Sequence, residues 1–380
     1  MTAFSTSFPS GLDAGVGAQP YRIGALSGTA AHWHRGPSEA LSARIAALPA
    51  QQIVAALPFD RKGDGVLLSE LTPALPDNPA KAPGPQAQLL SHRPLPAPEA
   101  YAAAVAEATR RLRAEPDFRK VVLARCLELT FDRTPDIATL LEALSRHPVA
   151  LPYMLPVHDP ASETPRHLVG ASPELLLARE GSTLRSHPLA GSARRSGDRA
   201  ADSAAAQALS GSAKDQGEHA LVVEHICDLL APLCKELQMP RGPQIFTTDS
   251  MIHLGTPIRG LLRGDDHSAF DLARLLHPTP AVGGTDLEKA EDCIARLEPF
   301  SRGFFAGAVG QQDARGNGAF HVAIRCAEIA GTRARLFAGA GIVADSDPLA
   351  ETAETGAKFG TMLRALGCGD LGCGDLSTPL

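Results

Sequence analysis

The order in which strand-like and helix-like segments follow one another constrains this chain more than any single motif. Strand signals come in clusters rich in β-branched and aliphatic residues and bounded by Gly, Pro and Asp. Amphipathic helical stretches interrupt the clusters without strict alternation. Regular alternation would predict a doubly wound parallel sheet, whereas this order predicts an α+β domain of packed layers.

Residues 52–58 and 65–69 read as short strands. Between Pro73 and Pro98 stand eight prolines, too many for the interior of a helix or sheet, so a surface connection or partly extended loop is predicted there. A helix over 99–115, a strand over 120–131 and a helix from Thr134-Pro-Asp to Arg146 follow, the last with Thr134 as its cap. Strands are expected at 150–156, 167–178 and 182–187. A long helix over 212–233 has Val222, Ile226, Leu229 and Leu230 as its apolar stripe. Helices over 268–276 and 286–297 lead into a meander of strands at 304–311, 319–329 and 333–338, and a helix over 348–366 closes the domain. The chain thus divides into 1–98, an N-terminal portion of the same fold ending in the proline-rich connection, a core over 99–366 and a tail over 367–380. The tail repeats Leu-Gly-Cys-Gly-Asp and is expected to be disordered, not a metal site.

With 380 residues, 44% of them apolar, the chain can bury a large core. A net charge of -6 and the lack of a long basic run argue against nucleic acid and anionic membranes as partners. No stretch approaches the roughly 18 apolar residues of a membrane span, and the N-terminus lacks a basic segment followed by an apolar one, so a cytoplasmic protein is expected. Seven cysteines (Cys126, Cys227, Cys234, Cys293, Cys326, Cys368 and Cys373) without a Cys-x-x-Cys pair do not read as a disulfide framework.

Two acidic pairs carry the first chemical signal. Asp215/Glu218 and Glu351/Glu354 each lie three residues apart on an expected helix, which stacks both carboxylates on one face. Like charges so placed repel, and a hard cation such as magnesium would tolerate them. Acidic residues near a helix start are also favoured by the helix dipole, so spacing alone leaves both readings open. There are only seven lysines against 29 arginines, yet Lys120, Lys214 and Lys358 all fall near these motifs or at the head of the 120–131 strand.

Arg325 lies in an apolar run that gains nothing structural from a buried guanidinium, and an anionic ligand would explain it. Lys120 fits either a functional role or that of an edge residue discouraging aggregation. Glu174 stands between Pro173 and Leu175, where apolar neighbours would raise its pKa and keep it protonated. Gly339-Ala-Gly-Ile-Val343 lacks the third glycine of a dinucleotide fingerprint, and no nucleophile elbow, zincin motif or Walker loop is present.

Taken in order, Phe118–Arg125, Leu168–Leu177, Pro188–Arg195, Lys214–His219, Leu276–Gly284 and Leu336–Val343 with Glu351–Lys358 resemble the chorismate-utilising enzymes. Within that family the chain is most similar to isochorismate synthases of the siderophore type, as Pro-Leu-Ala-Gly-Ser-Ala-Arg-Arg and Ile-Arg-Cys-Ala-Glu suggest. The resemblance implies two large, mainly antiparallel β-sheets packed as a sandwich with flanking helices and a ligand cleft between layers. It implies magnesium-dependent attack of water at C2 of chorismate with loss of the C4 hydroxyl, Lys120 being the general base and Glu174 the general acid. Glu218 and Glu354 would coordinate magnesium, with Asp215 and Glu351 holding its waters. Arg325 and Lys358 would pair with the substrate carboxylates, aided by Gly191, Ser192, His253, Ala281, Phe305, Ile324 and Gly339. A monomer is expected, coupled in function to an isochorismatase or a pyruvate lyase. The rival within the family is a salicylate synthase, which also eliminates pyruvate. An anthranilate or aminodeoxychorismate synthase fits less well, because ammonia-using relatives generally lack a lysine at the position resembling Lys120. From another class, the chain could be a non-catalytic chorismate-binding protein.

Overall fold

The computed structural model describes residues 13–48, 51–74, 86–146, 149–158, 164–248, 250–369 and 371. The N-terminal part forms β1 (Asp13–Ile23), β2 (Leu26–Pro37), α1 (Ser38–Ala47), β3 (Ile53–Leu57), β4 (Asp64–Pro73) and β5 (Leu89–Leu95). Next come α2 (Pro98–Ala114), β6 (Val121–Phe131), α3 (Ile137–Ser145), β7 (Leu151–Pro156), β8 (Arg166–Ser172), β9 (Leu175–Glu180), β10 (Thr183–His187) and β11 (Leu189–Arg194). Then follow α4 (Arg199–Gly211), α5 (Ala213–Leu230), β12 (Cys234–Gln238), β13 (Gln244–Thr247), β14 (Met251–Gly255), β15 (Ile258–Leu262), α6 (Ala269–Leu276) and α7 (Leu287–Leu297). The chain ends in β16 (Ala308–Gln312), β17 (Gly318–Val322), β18 (Cys326–Ala330), β19 (Arg333–Ile342) and α8 (Pro348–Ala365).

The strands pair antiparallel in one ladder of sixteen, ordered β12-β15-β10-β9-β17-β16-β3-β4-β2-β1-β7-β8-β18-β19-β6-β5, beside a small sheet β11-β14-β13. The ladder is thinnest where β1 meets β7, over Arg22 and Ile23 only. On either side of this joint the two halves share one core. Val54, Val309, Leu177 and Phe320 of one half cluster with Leu155, Leu168 and Leu123 of the other. Side-chain alternation explains why a second core exists: Met154 and Val169, neighbours of Leu155 and Leu168, point to the opposite face and pack with Leu144 of α3 and Phe359 of α8. The α+β sandwich expected from the element order is therefore built as one folded-over ladder covered by helices.

Two expected strands are each broken in a way that matters for the site. The run at 167–178 divides at Pro173-Glu174 into β8 and β9, and the run at 319–329 divides at 323–325 into β17 and β18. β8 pairs with β18 and β9 with β17, so both chains cross side by side from one half of the sandwich to the other. The crossing is tied by Ser172 Oγ donating to Val322 O (2.6 Å) and by the amides of Val322 and Ala171 donating to Glu174 O and Arg325 O, each at 3.1 Å. A second paired crossing lies at Pro188 and Pro257, where β10 and β15 of the large sheet continue as β11 and β14 of the small one. Proline lacks a donor and is tolerated where the ladder is interrupted.

Other expectations need correction. The proline-rich segment contains strand β5, tolerated because it is an edge strand bonded on one side, with Pro94 opposite Leu127. The cap of α3 is Asp136, whose carboxylate accepts from Ala138 N, and not Thr134. The strand expected from Phe304 starts at Ala308, after a turn in which Ala306 has φ 62°. Helix α4, which covers the small sheet, has no counterpart in the sequence reading. The first copy of the tail repeat is described as far as Gly369, with Cys368 buried, whereas residues 370 and 372–380, Cys373 among them, lie outside the described residues. No described helix is long and apolar enough to cross a membrane.

Candidate active site

The two strand crossings open onto one cavity. It is bordered by Glu174, Gly191, Ser192, Glu218, His253, Ala281, Phe305, Ile324, Arg325, Gly339, Glu354 and Lys358. Of the expected site residues only Lys120, Asp215 and Glu351 stand behind this lining. Lys120 is fully buried just before β6, and its Nζ lies 2.9 Å from Glu218 Oε1. Glu351 is buried on α8 and takes Lys214 Nζ at 2.6 Å. Asp215 packs against Gly191, where an added Cβ would come within 3.0 Å of its own.

Each crossing contributes a charged group. Glu174 sits at the β8–β9 break, where burial pushes its carboxyl up to about 7 against the opposing pull of Lys120, Lys358 and Arg325. Arg325 sits at the β17–β18 break with φ 52°, a conformation that costs a non-glycine residue roughly 1–2 kcal/mol. The apolar strand expected to run through Arg325 in fact stops there, which turns the guanidinium inward. Burial lowers its pKa to about 10, so it remains a cation. Its Nη2 donates to His253 Nε2 at 3.5 Å, leaving His253 Nδ1 to bond Ser192 Oγ at 3.0 Å. Burial, then Arg325 and Lys358, hold His253 well below its ordinary range, so the ring is neutral and its tautomer is set by these two contacts.

The acidic pairs converge from two helices. Asp215 lies in the first turn of α5, capped by Ser212, and Glu351 in the first turn of α8, so the helix dipole accounts for these two. Glu218 and Glu354 lie one turn further on, where that effect fades, and they are the pair that border the cavity. Burial raises the Asp215 carboxyl, with repulsion from Glu218 and Glu354 adding to it, and burial followed by Glu354 raises that of Glu351. Burial also opposes ionisation of Glu218, yet Lys120, Lys358 and Lys214 outweigh it and hold the group below its usual range. Lys358 Nζ bridges Glu354 Oε1 at 2.6 Å and the carbonyl of Gly339 at 2.8 Å. The three lysines thus lie among the four carboxylates.

Gly341 is a site residue that the motif reading overlooked. An added Cβ there would meet Glu218 Oε1 and would come within 3.0 Å of Lys120 Cε, so only glycine lets the Lys120–Glu218 pair lie against β19. The signal was available: Gly339 and Gly341 are two apart on a strand and share one face, opposite Ala124 and Val122 of β6. Phe337, also unforeseen, stacks on Phe305 with ring centroids 5.1 Å apart and closes the apolar wall.

A family model for chorismate binding enzymes matches residues 67–367. The chain belongs to the chorismate binding enzymes. MenF of Mycobacterium tuberculosis, named as a candidate isochorismate synthase, is 44% identical over 327 residues, covering 83% of this chain and 86% of its own length. Isochorismate synthase DhbC of Bacillus subtilis is 43% identical over 277 residues, 72% of this chain and 69% of the relative. The solved structure of DhbC from Bacillus anthracis, named as a candidate 2,3-dihydroxybenzoate-specific isochorismate synthase, superposes with a TM-score of 0.82 at 35% identity, over 92% of this chain and 96% of that one. In this chorismate binding enzyme the cations Arg325 and Lys358 both border the cavity, as binding of an anion would require.

Proposed function

We propose that this chain is an isochorismate synthase that converts chorismate to isochorismate with magnesium as cofactor, for a siderophore or related secondary route. The observation that carries the reading is a buried carboxylic acid held near 7 in the wall of one cavity, with a buried lysine behind the same lining. An acid and a base held apart in this way match a reaction that adds a hydroxyl at one ring carbon and removes one at another. Lys120 accepts a proton from the water that bonds to C2. Glu174 gives its proton to the C4 hydroxyl, which leaves as water, so composition is unchanged. Arg325 and Lys358 receive the two substrate carboxylates, and His253 with Ser192 fixes the direction in which Arg325 points.

The donor set suits magnesium. Glu218 and Glu354 are two carboxylates bordering one cavity, and magnesium takes one or two carboxylates and keeps waters and substrate oxygens for the rest. Glu218 and Glu354 would hold it directly, with Asp215 and Glu351 bonding its waters, and when bound it would neutralise a substrate carboxylate and draw electron density from the ring. The siderophore assignment draws support from the Pro188–Arg195 motif and from the 2,3-dihydroxybenzoate named for the Bacillus anthracis relative.

Incubation with chorismate and magnesium, with products resolved by chromatography, tests the reading. Isochorismate alone is expected, and salicylate with pyruvate would overturn it in favour of a salicylate synthase. Chelation should abolish turnover and added magnesium restore it; unchanged turnover in excess chelator would remove the metal. Lys120→Ala and Glu174→Gln are each expected to lower kcat by about 100-fold or more while chorismate binding stays measurable by calorimetry.

A further inference from the structure

Strand β6 is bonded to β5 only from Cys126 onward, since the last pair on that side is Leu95 with Cys126. The stretch from Lys120 to Ala124, which carries the base and the Val122 wall, therefore has along that edge, among the described residues, no strand but only a single bridge of Val121 with Gly284. Its backbone groups are nonetheless satisfied. Thr285 Oγ1 accepts from the amides of Arg119 and Lys120, each at 2.9 Å, and Thr285 N donates to Lys120 O at 3.0 Å. The Val122 amide donates to Gly283 O at 2.8 Å, and Val122 O accepts from Arg302 Nη2 at 2.7 Å. The Ala124 amide donates to Glu298 Oε1 at 2.7 Å.

Glu298 and Arg302 are themselves a bidentate pair, at 2.9 and 2.5 Å, and Arg302 Nη1 reaches the carbonyl of Val282 at 2.8 Å. Both side chains are at most 3% exposed, and Phe59 stacks on the guanidinium at 4.2 Å. A buried ion pair confers little net stability over an apolar one, so a pair whose guanidinium also reaches the carbonyls of Val122 and Val282 points to a geometric task. Gly284, at φ 152°, completes the device, because a Cβ there would meet Lys120 O at 2.4 Å.

We propose that Thr285, Glu298 and Arg302 are positioning residues that stand in for a missing strand and hold the Lys120 stretch of β6 against the substrate cavity. This rests on the reading of Lys120 as the base. The device also binds the Val282 side of the cavity to the Val122 side, so the two walls keep their spacing. Displacement of a reacting group by about 1 Å can lower a rate by about 100-fold, so a small loosening of this edge is enough to be measured.

The test uses Thr285→Val, which keeps shape and removes the acceptor, with Thr285→Ser as the conservative rescue, and Glu298→Gln as a second probe. Each is read by kcat and KM for chorismate and by hydrogen–deuterium exchange. Expected is a fall in kcat of about tenfold or more for Thr285→Val and Glu298→Gln with KM within about threefold, recovery in Thr285→Ser, and faster exchange confined to 119–124 and 282–285. Wild-type kcat in both Thr285→Val and Glu298→Gln, or faster exchange spread evenly over the sheet, would overturn the inference and leave a core ion pair only. Turnover retained in Lys120→Ala would instead remove the base, and the exchange result at 119–124 would still stand or fall by itself.

Discussion

Arg302 and Arg325 are both buried guanidiniums, the first behind the Val122 and Val282 walls of the cavity and the second bordering it, and they are treated in opposite ways. Arg302 spends its donors on Glu298, Val122 O and Val282 O and is stacked on Phe59. Arg325 has, among the described residues, one hydrogen-bond partner, a neutral histidine at 3.5 Å, and it is held at a strained backbone position. Burying a cation without compensation is costly, so the second arrangement persists only if something else supplies the missing acceptors. On the function proposed above, the contrast separates a charge that serves the fold from one reserved for a ligand.

The largest expected effect breaks the comparison directly. Removing the partner of a saturated buried pair leaves an uncompensated charge, so Arg302→Ala should lower unfolding free energy in urea by about 3–5 kcal/mol. Arg325→Gln should leave stability unchanged or raise it, while the KM for chorismate rises by about 30-fold or more through loss of a charged hydrogen bond. Equal destabilisation by the two substitutions would erase the distinction.

A smaller effect sharpens it from the acid's side. Glu174 ordinarily titrates near 4.5 and in the fold near 7, so between these values the folded chain keeps a proton that the unfolded chain has lost. Stability contributed by this group therefore falls as pH rises through that window, by roughly 3 kcal/mol in total. Glu174→Gln lacks the slope and should exceed the parent in stability at pH 8, the gap closing by pH 4, as followed by urea unfolding at each pH. A constant gap would mean that the acid is not held protonated. The smallest effect comes from the rim. Arg61 pairs with Glu291 at 3.3 Å on the surface, and Arg61→Ala should change stability by less than about 1 kcal/mol and leave kcat as it is.

Local pattern made much of this legible. The apolar stripe of α5, the β-rich run of β6 and the acidic pairs on two helices are properties of residues within one element, and periodicity reports them. What periodicity does not report is where a strand changes partners. The runs at 167–178 and 319–329 keep strand composition through their breaks, because both halves of the sandwich want the same residues, so Glu174 and Arg325 were read as lying within or beside continuous strands. Glu298 and Arg302 were missed for a related reason. The helix expected over 286–297 stops just before them, and no periodicity reports that Arg302 turns back onto Glu298, the C-cap residue of α7.

The paired crossing of β8–β9 with β17–β18 has a mechanical side. Both chains pass between the halves of the sandwich at one place and are bonded to each other there. Glu174 O and Arg325 O each accept one of those bonds, so a shift of either chain at the seam is carried to the other. The mutual position of the two charged residues is thus set by the backbone and not by side-chain packing alone.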